Sequence, residues 1–230
     1  MSPDSKAKVI TIDGPSGTGK GTICHMLADY LDWNVLDSGS LYRVLAYSAK
    51  KNNIDFNDIE KLVALAHSMV LRFETNPHHK SQVFLDNIEV LDELRQEECG
   101  QNASKIAVIP EIREALLARQ RAFATQPGLV TDGRDMGTVV FPDAFLKIYL
   151  DASEEERAKR RFFQLKQKGK NVSLADVVDE LRVRDARDKA RATAPLKPAE
   201  DAVLIDTTGL NVVQVFNNVL ELANKYLSQS

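Results

Sequence analysis

Gly14-Pro15-Ser16-Gly17-Thr18-Gly19-Lys20-Gly21-Thr22 lies between two segments of different periodicity. Before it runs Lys8-Val9-Ile10-Thr11-Ile12-Asp13, a short β-branched stretch of strand character. After it, Ile23, Met26, Leu27, Tyr30 and Leu31 recur at helical spacing. Strand, glycine loop and helix in that order are the setting of a phosphate-binding loop. Glycines let the backbone approach phosphate oxygens and present successive N–H groups to them. The start of the following helix adds the positive end of its dipole, and Lys20 adds a mobile cation. The general pattern places Ser or Thr directly after the lysine. Here Gly21 intervenes before Thr22.

The rest of the chain alternates in the same way. Val35-Leu36, Leu129-Val130-Thr131-Asp132, Leu146-Lys147-Ile148-Tyr149-Leu150 and Ala202-Val203-Leu204-Ile205-Asp206 read as strands. Residues 41–51, 58–69, 112–123 and 211–227 read as helices, the last with Val212, Val215, Val219, Leu222 and Tyr226 on one stripe. Near-continuous apolar strands separated by helices predict a parallel sheet covered on both faces, an α/β three-layer sandwich. Between about Val70 and Val90 the pattern changes to short strands. Asp86-Asn87, two residues that tolerate positive φ, predict a hairpin and a small antiparallel insert.

Composition narrows the function. The 230 residues carry 43% hydrophobic and 27% charged side chains with a net charge of −3, which excludes wholesale disorder and gives no global basic signal for nucleic acid. No apolar run reaches the roughly 18 residues of a membrane span. Met1-Ser2-Pro3-Asp4-Ser5-Lys6 is polar and has no secretory apolar core, so no targeting signal is expected. Two cysteines, Cys24 and Cys99, supply neither a disulfide framework nor a zinc cluster, and point to a reduced, cytoplasmic setting. His25, His67, His78 and His79 read as surface or packing residues.

Charge is concentrated between Arg157 and Arg191, where 12 basic residues accompany five acids. That suggests an anion site or, equally, solvated surface helices. Ser153 and Glu156 cap a first basic helix that places Arg157, Arg160 and Arg161 within one turn. Ser173 and Asp176 cap a second, whose buried stripe is Leu174, Val177, Val178 and Leu181. Continuing that spacing gives Arg184, Asp188 and Arg191, so an apolar face turns charged as it enters a polar site. The pair, joined at Gln167-Lys168-Gly169-Lys170, is expected to act as a lid over phosphates.

Two further clusters follow strand ends, where open α/β sheets bind ligands. In Asp37-Ser38-Gly39-Ser40-Leu41-Tyr42-Arg43, Tyr42 and Arg43 fall in the first turn of a helix, and Arg43 suits a bidentate phosphate contact. Alone, it also reads as a capped helix with a surface arginine. In Asp132-Gly133-Arg134-Asp135-Met136-Gly137-Thr138, Asp132 is placed to organise magnesium through water, near Thr22, unless it is an ion-pair partner of Arg134.

Taken in order, these four segments closely resemble the bacterial cytidylate kinases, from about Val9 to the C-terminus. The resemblance is weakest between Thr75 and Cys99. It implies a P-loop fold with a five-stranded parallel core in the order 2-3-1-4-5, a small antiparallel insert and a helical lid. Residues 1–36, 106–156 and 192–230 would form the core, 37–105 the monophosphate-binding region and 157–191 the lid. It implies ATP as donor, CMP or dCMP as acceptor, and Mg²⁺. Gly14 to Thr22 would bind ATP. Ser104, Arg113 and Asp135 would face cytosine, whose N4 amino group donates to a carboxylate where uracil presents an acceptor. Arg43, Arg134 and Arg191 would hold the acceptor phosphate, and Arg184 and Asp188 the sugar, with Ser38 nearby. Lys20, Arg134, Arg157, Arg161 and Arg191 would serve the transferring phosphoryl group.

The acceptor is a phosphomonoester with a second pKa of about 6, so at pH 7 the nucleophile is already mostly a dianion and no general base is required. Competing readings are a kinase for UMP, a deoxynucleotide or a hydroxylated metabolite, an NTP-dependent switch, and an RNA-binding segment between Arg157 and Arg191. The last is disfavoured because acids alternate with its arginines and its aromatic residues are few, Phe162 and Phe163 lying adjacent. A monomer that binds neither nucleic acid nor membrane is expected.

Overall fold

A computed structural model describes residues 7–75 and 81–229; Met1 to Lys6, read above as a polar start, and His78 and His79 lie outside the described residues. The chain divides into two compact units, one built from residues 1–36 and 123–230 and the other from Asp37–Ala122.

The first unit holds the parallel sheet. Its strands are β1 (Lys8–Asp13), β2 (Asn34–Asp37), β6 (Gly128–Gly133), β7 (Leu146–Asp151) and β8 (Val203–Asp206), in the spatial order β2-β6-β1-β7-β8. Counting core strands alone, that is the expected 2-3-1-4-5. β1 is central and pairs in parallel with β6 from Lys8↔Gly128 to Asp13↔Gly133 and with β7 from Ile10↔Leu146 to Asp13↔Tyr149. The β1 and β6 strands therefore end side by side, at Asp13 and Gly133. Ile10 and Ile12 pack with Ile23, Leu27, Val130, Ile148 and Leu150, and with Val215 and Val219 of the last helix α9 (Val212–Leu227). Two stripe assignments shift. Tyr30 is exposed at its edge-on contact with Phe216, and Cys24 and Ala28 take the buried positions of α1 (Lys20–Leu31). On α9, Val212 is exposed because it is the first helical residue after the Asn211 cap, and Ala223 completes the stripe.

Trp33 follows α1 and lies against β6. A Cβ on Gly128 would come within 2.3 Å of its ring, so only glycine allows this approach. Helices α7 (Glu154–Gln167) and α8 (Leu174–Lys189) pack through Ala158, Leu165, Val177 and Leu181. Both caps form: Ser153 Oγ accepts from Glu156 N, and Ser173 with Asp176 makes a full capping box. Leu174, expected in the stripe, is exposed as the first residue of its helix, and Val178 is half-buried.

The second unit is helical around α2 (Ser38–Lys51), α3 (Ile59–Ser68), α4 (Leu91–Leu94), α5 (Glu97–Ile106) and α6 (Pro110–Arg121). Its core joins Val44, Leu45, Leu62, Leu94, Ile106, Ile112 and Leu116. Asp37 accepts hydrogen bonds from Ser40 N and Ser40 Oγ and so starts α2 three residues before Leu41. Tyr42 and Arg43 consequently stand in the second turn, not the first. The antiparallel insert is β3 (Leu71–Thr75), β4 (Ser81–Leu85) and β5 (Ile88–Glu89), and Asp86 and Asn87 take the positive φ values (51° and 66°) their hairpin requires. Periodicity gave no sign of α4 or α5. The run Glu97-Glu98-Cys99-Gly100-Gln101-Asn102 is polar with a central glycine, and burial of small residues, Gly100, Ala103 and Ser104, holds it helical.

Candidate functional site

The site in the first unit begins where β1 and β6 end. Gly14, Gly17 and Gly19 all take positive φ. Two of them are further constrained: a Cβ at Gly14 would meet the Leu150 carbonyl oxygen at 2.0 Å, and one at Gly17 the Arg157 carbonyl oxygen at 2.9 Å. The loop is thus pressed between the end of β7 and the start of α7. Inside it, Lys20 Nζ and Thr18 Oγ1 both donate to the Pro15 carbonyl, at 2.7 and 3.1 Å. Burial and the neighbouring Arg134 push the Lys20 ammonium down to about 7, against the opposing charges of Asp132 and Asp13.

Arg134 connects this loop to α8. Its Nη2 donates to Ser16 Oγ at 2.7 Å and its Nε to Asp188 Oδ2 at 2.8 Å. Asp188 Oδ1 accepts in turn from Arg191. Burial works against the Asp188 charge, but the two guanidinium groups prevail and hold the carboxyl below its ordinary range. The carboxylate partner of Arg134 is therefore Asp188, not Asp132 as the sequence alternative had it. Arg184 adds a positive charge felt by both Lys20 and Asp188. The predicted turn from apolar to charged along α8 is present, with Asp185 and Asp188 buried beyond Leu181, but the helix ends at Lys189, so Arg191 lies past it and not on its stripe.

Arg157 is buried, and donates to the Ser16 carbonyl at 3.1 Å, the Ala152 carbonyl at 3.2 Å and Asp185 at 2.6 Å. Arg160 ties α7 to the turn after β8 through the Thr207 hydroxyl, the Thr207 carbonyl and the Leu210 carbonyl. The first turns of α7 are in this way anchored to the loop on one side and to residues 207–210 on the other. Arg161, one position past Arg160 on α7, is half-buried, with Nη1 3.4 Å from Gln164 Oε1. Sequence reasoning gave no site role to Asp13, Arg160 or Asp185. Asp13 was visible as an acid directly before Gly14, and Asp185 as the residue one turn beyond Leu181.

Asp135 is buried at the head of a π-helical turn, Met136–Val140. Asp132, also buried, ends near Gly21, whose Cβ would lie 4.0 Å from Asp132 Oδ1, and the Thr22 residue next to it is exposed. Among the described residues no three His, Cys, Asp or Glu side chains form a metal cluster, and no helix is long and apolar enough to cross a membrane.

In the second unit the candidates gather around α2. Ser38 is buried at its first position, Ser104 is buried on α5 and Arg113 is buried on α6. Arg113 Nη1 donates to the Ala107 carbonyl at 3.1 Å, and its guanidinium lies 5.7 Å from the centre of the Tyr42 ring. Arg43 Nη1 donates to the Leu94 carbonyl at 2.7 Å, and its guanidinium lies flat against Gly100.

The cytidylate kinase family model matches residues 10–225. A cytidylate kinase of Pseudomonas syringae pv. tomato is 53% identical over 216 residues, covering 94% of each chain. One from Pseudomonas putida is 52% identical over 226 residues, covering 97% of this chain and 99% of that one, and one from Colwellia psychrerythraea is 50% identical over 220 residues, covering 96% and 97%. A match of that length and identity, on a chain whose glycine loop contacts Arg134 and Arg157, means that this protein belongs to the cytidylate kinase family.

Proposed function

We propose that the chain transfers the γ-phosphoryl group of ATP to CMP or dCMP, giving ADP and CDP or dCDP, and works as a cytoplasmic monomer. The observation that carries this reading is Arg134, a single guanidinium that touches both the phosphate loop at Ser16 and the charged end of α8 at Asp188. A group so placed serves a reaction in which two polyanions are pressed together. Gly14 to Thr22 bind the ATP phosphates. A polyphosphate beside Lys20 replaces lost solvation, so nucleotide binding draws the ammonium back to full charge near pH 7. Arg43, Arg134 and Arg191 hold the acceptor phosphate, Arg184, Asp188 and Ser38 serve the sugar, and Ser104, Arg113 and Asp135 read cytosine. Arg157 and Arg161 are assigned to the transferring group; for Arg157 this means giving up Asp185, its present partner.

Because the acceptor oxygen is already anionic, the residues position and neutralise rather than abstract a proton. Mg²⁺ fits the donor type: Asp132, a buried hard carboxylate near Gly21, with the Thr22 hydroxyl next in sequence, would hold an ion shared with phosphates and water. Bound there, it would offset charge on the phosphoryl group.

A coupled assay of ADP release with CMP, dCMP, UMP and AMP tests the reading. Activity with CMP and dCMP well above UMP and AMP is expected. ATP binding with no ADP formed on adding CMP overturns it in favour of a switch.

A further inference from the structure

Asp13, the last residue of β1, has no place in the chemistry above, yet it is buried to 5% exposure directly before the phosphate loop. Both of its oxygens are engaged by backbone N–H groups. Oδ1 accepts from Met136 N at 2.9 Å and Oδ2 from Gly137 N at 2.8 Å. These are the first two N–H groups of the π-helical turn, and they belong to the residues immediately after Arg134 and Asp135. The first N–H groups of any helical turn lack acceptors within it.

We propose that Asp13 is a positioning residue for recognition of the acceptor base: one carboxylate, hung from β1, fixes the backbone that carries Arg134 and Asp135. The inference rests on the reading of Asp135 as a cytosine contact. Three observations support it. A fully buried carboxylate is costly, and a serine or asparagine would satisfy one N–H more cheaply. A carboxylate supplies a separate oxygen to each of the two adjacent N–H groups, whereas an amide in the same place would turn its own NH₂ against one of them. The segment is also tightly seated, because a Cβ on Gly137 would lie 2.9 Å from Thr11 Oγ1 on β1 and 3.2 Å from Lys147 Cδ. Burial pushes the Asp13 carboxyl up to about 6, against the two N–H groups that favour its charge, so the group is held in place at an electrostatic disadvantage.

The test compares wild type, Asp13→Asn and Asp13→Glu in steady-state kinetics with CMP and UMP. In Asp13→Asn, KM for CMP is expected to rise about tenfold or more and the CMP-over-UMP ratio of kcat/KM to fall by a similar factor, the scale of a lost charged hydrogen bond. KM for ATP stays within about twofold, and Asp13→Glu recovers part of the preference. A fall in kcat with KM for CMP and the CMP-over-UMP ratio unchanged would overturn the proposal, assigning Asp13 to the donor side, and so would no change at all. Wild type that fails to use CMP instead defeats the underlying reading, before any variant is compared. If neither variant folds, amide exchange on wild type decides: protection at Met136 and Gly137 that rises on adding CMP supports the role, and rapid or CMP-insensitive exchange overturns it.

Discussion

Arg134 and Arg43 both follow strand ends, yet they are held in opposite ways. Arg134 is bonded to the buried carboxylate of Asp188, so its charge is largely compensated and it acts as a bridge between Ser16 and α8. Arg43 is held by a neutral group, the Leu94 carbonyl, and among the described residues no carboxylate pairs with it. A guanidinium fixed by carbonyl oxygen keeps its full charge for an incoming anion. One fixed by carboxylate is part of the fold as well as of the site. Losses should therefore appear as instability around Arg134 and as weakened binding around Arg43.

The largest effect is expected at Asp188. Asp188→Ala strands Arg134 and Arg191 without their shared carboxylate, and denaturant unfolding should show a loss of about 3–5 kcal/mol, the range for breaking a buried pair. Acid tests the same group. The folded Asp188 carboxyl lies below the ordinary 3.8, so its contribution is complete above that value and disappears as pH falls through the lower folded one. The acid-unfolding curve of Asp188→Ala should be correspondingly flatter there. A variant of wild-type stability would erase the distinction between the two arginines. Next comes Lys20→Ala, expected to lower turnover by ~10²–10³ with little loss of fold, as for one lost charge-stabilising donor. An unchanged kcat refutes the role given to Lys20.

Arg43→Ala should raise KM for CMP by about 10–100-fold, the equivalent of one charged hydrogen bond, while melting within a few degrees of wild type. A collapse in stability comparable to that of Asp188→Ala would show that Arg43 is structural too. The smallest effect, and the finest test, is Gly100→Ala. The new methyl would sit 2.8–3.1 Å from the Arg43 guanidinium, which must move aside. Helix propensity favours alanine by about 1 kcal/mol, so this variant should be as stable as wild type or more so, with KM for CMP raised several-fold.

The same contrast explains what the residues alone made readable. The sheet order and the strand–glycine loop–helix succession were accessible because apolar strands and glycines at fixed spacing are local signals: Ile10, Ile12, Val130 and Ile148 could hardly be anywhere but the core. α5 was not, because its helix is held by contact of small residues with α2 rather than by an apolar stripe of its own. Arg134 and Asp188 were both singled out, but 54 residues separate them, and nothing local says that one carboxylate serves Arg134 and Arg191 together. Asp13 was passed over for a related reason. Its partners are backbone N–H groups more than 120 residues away, and these have no sequence signature.

The placement of Trp33 has a practical consequence. It is the sole tryptophan in the chain, and it is wedged on Gly128 at the foot of β6, inside the sheet-bearing unit. Its emission under selective excitation therefore reports the packing of the ring on that strand. An optical titration read this way watches the ring leave Gly128, and a second probe placed among helices α2 to α6 is needed to follow the other unit.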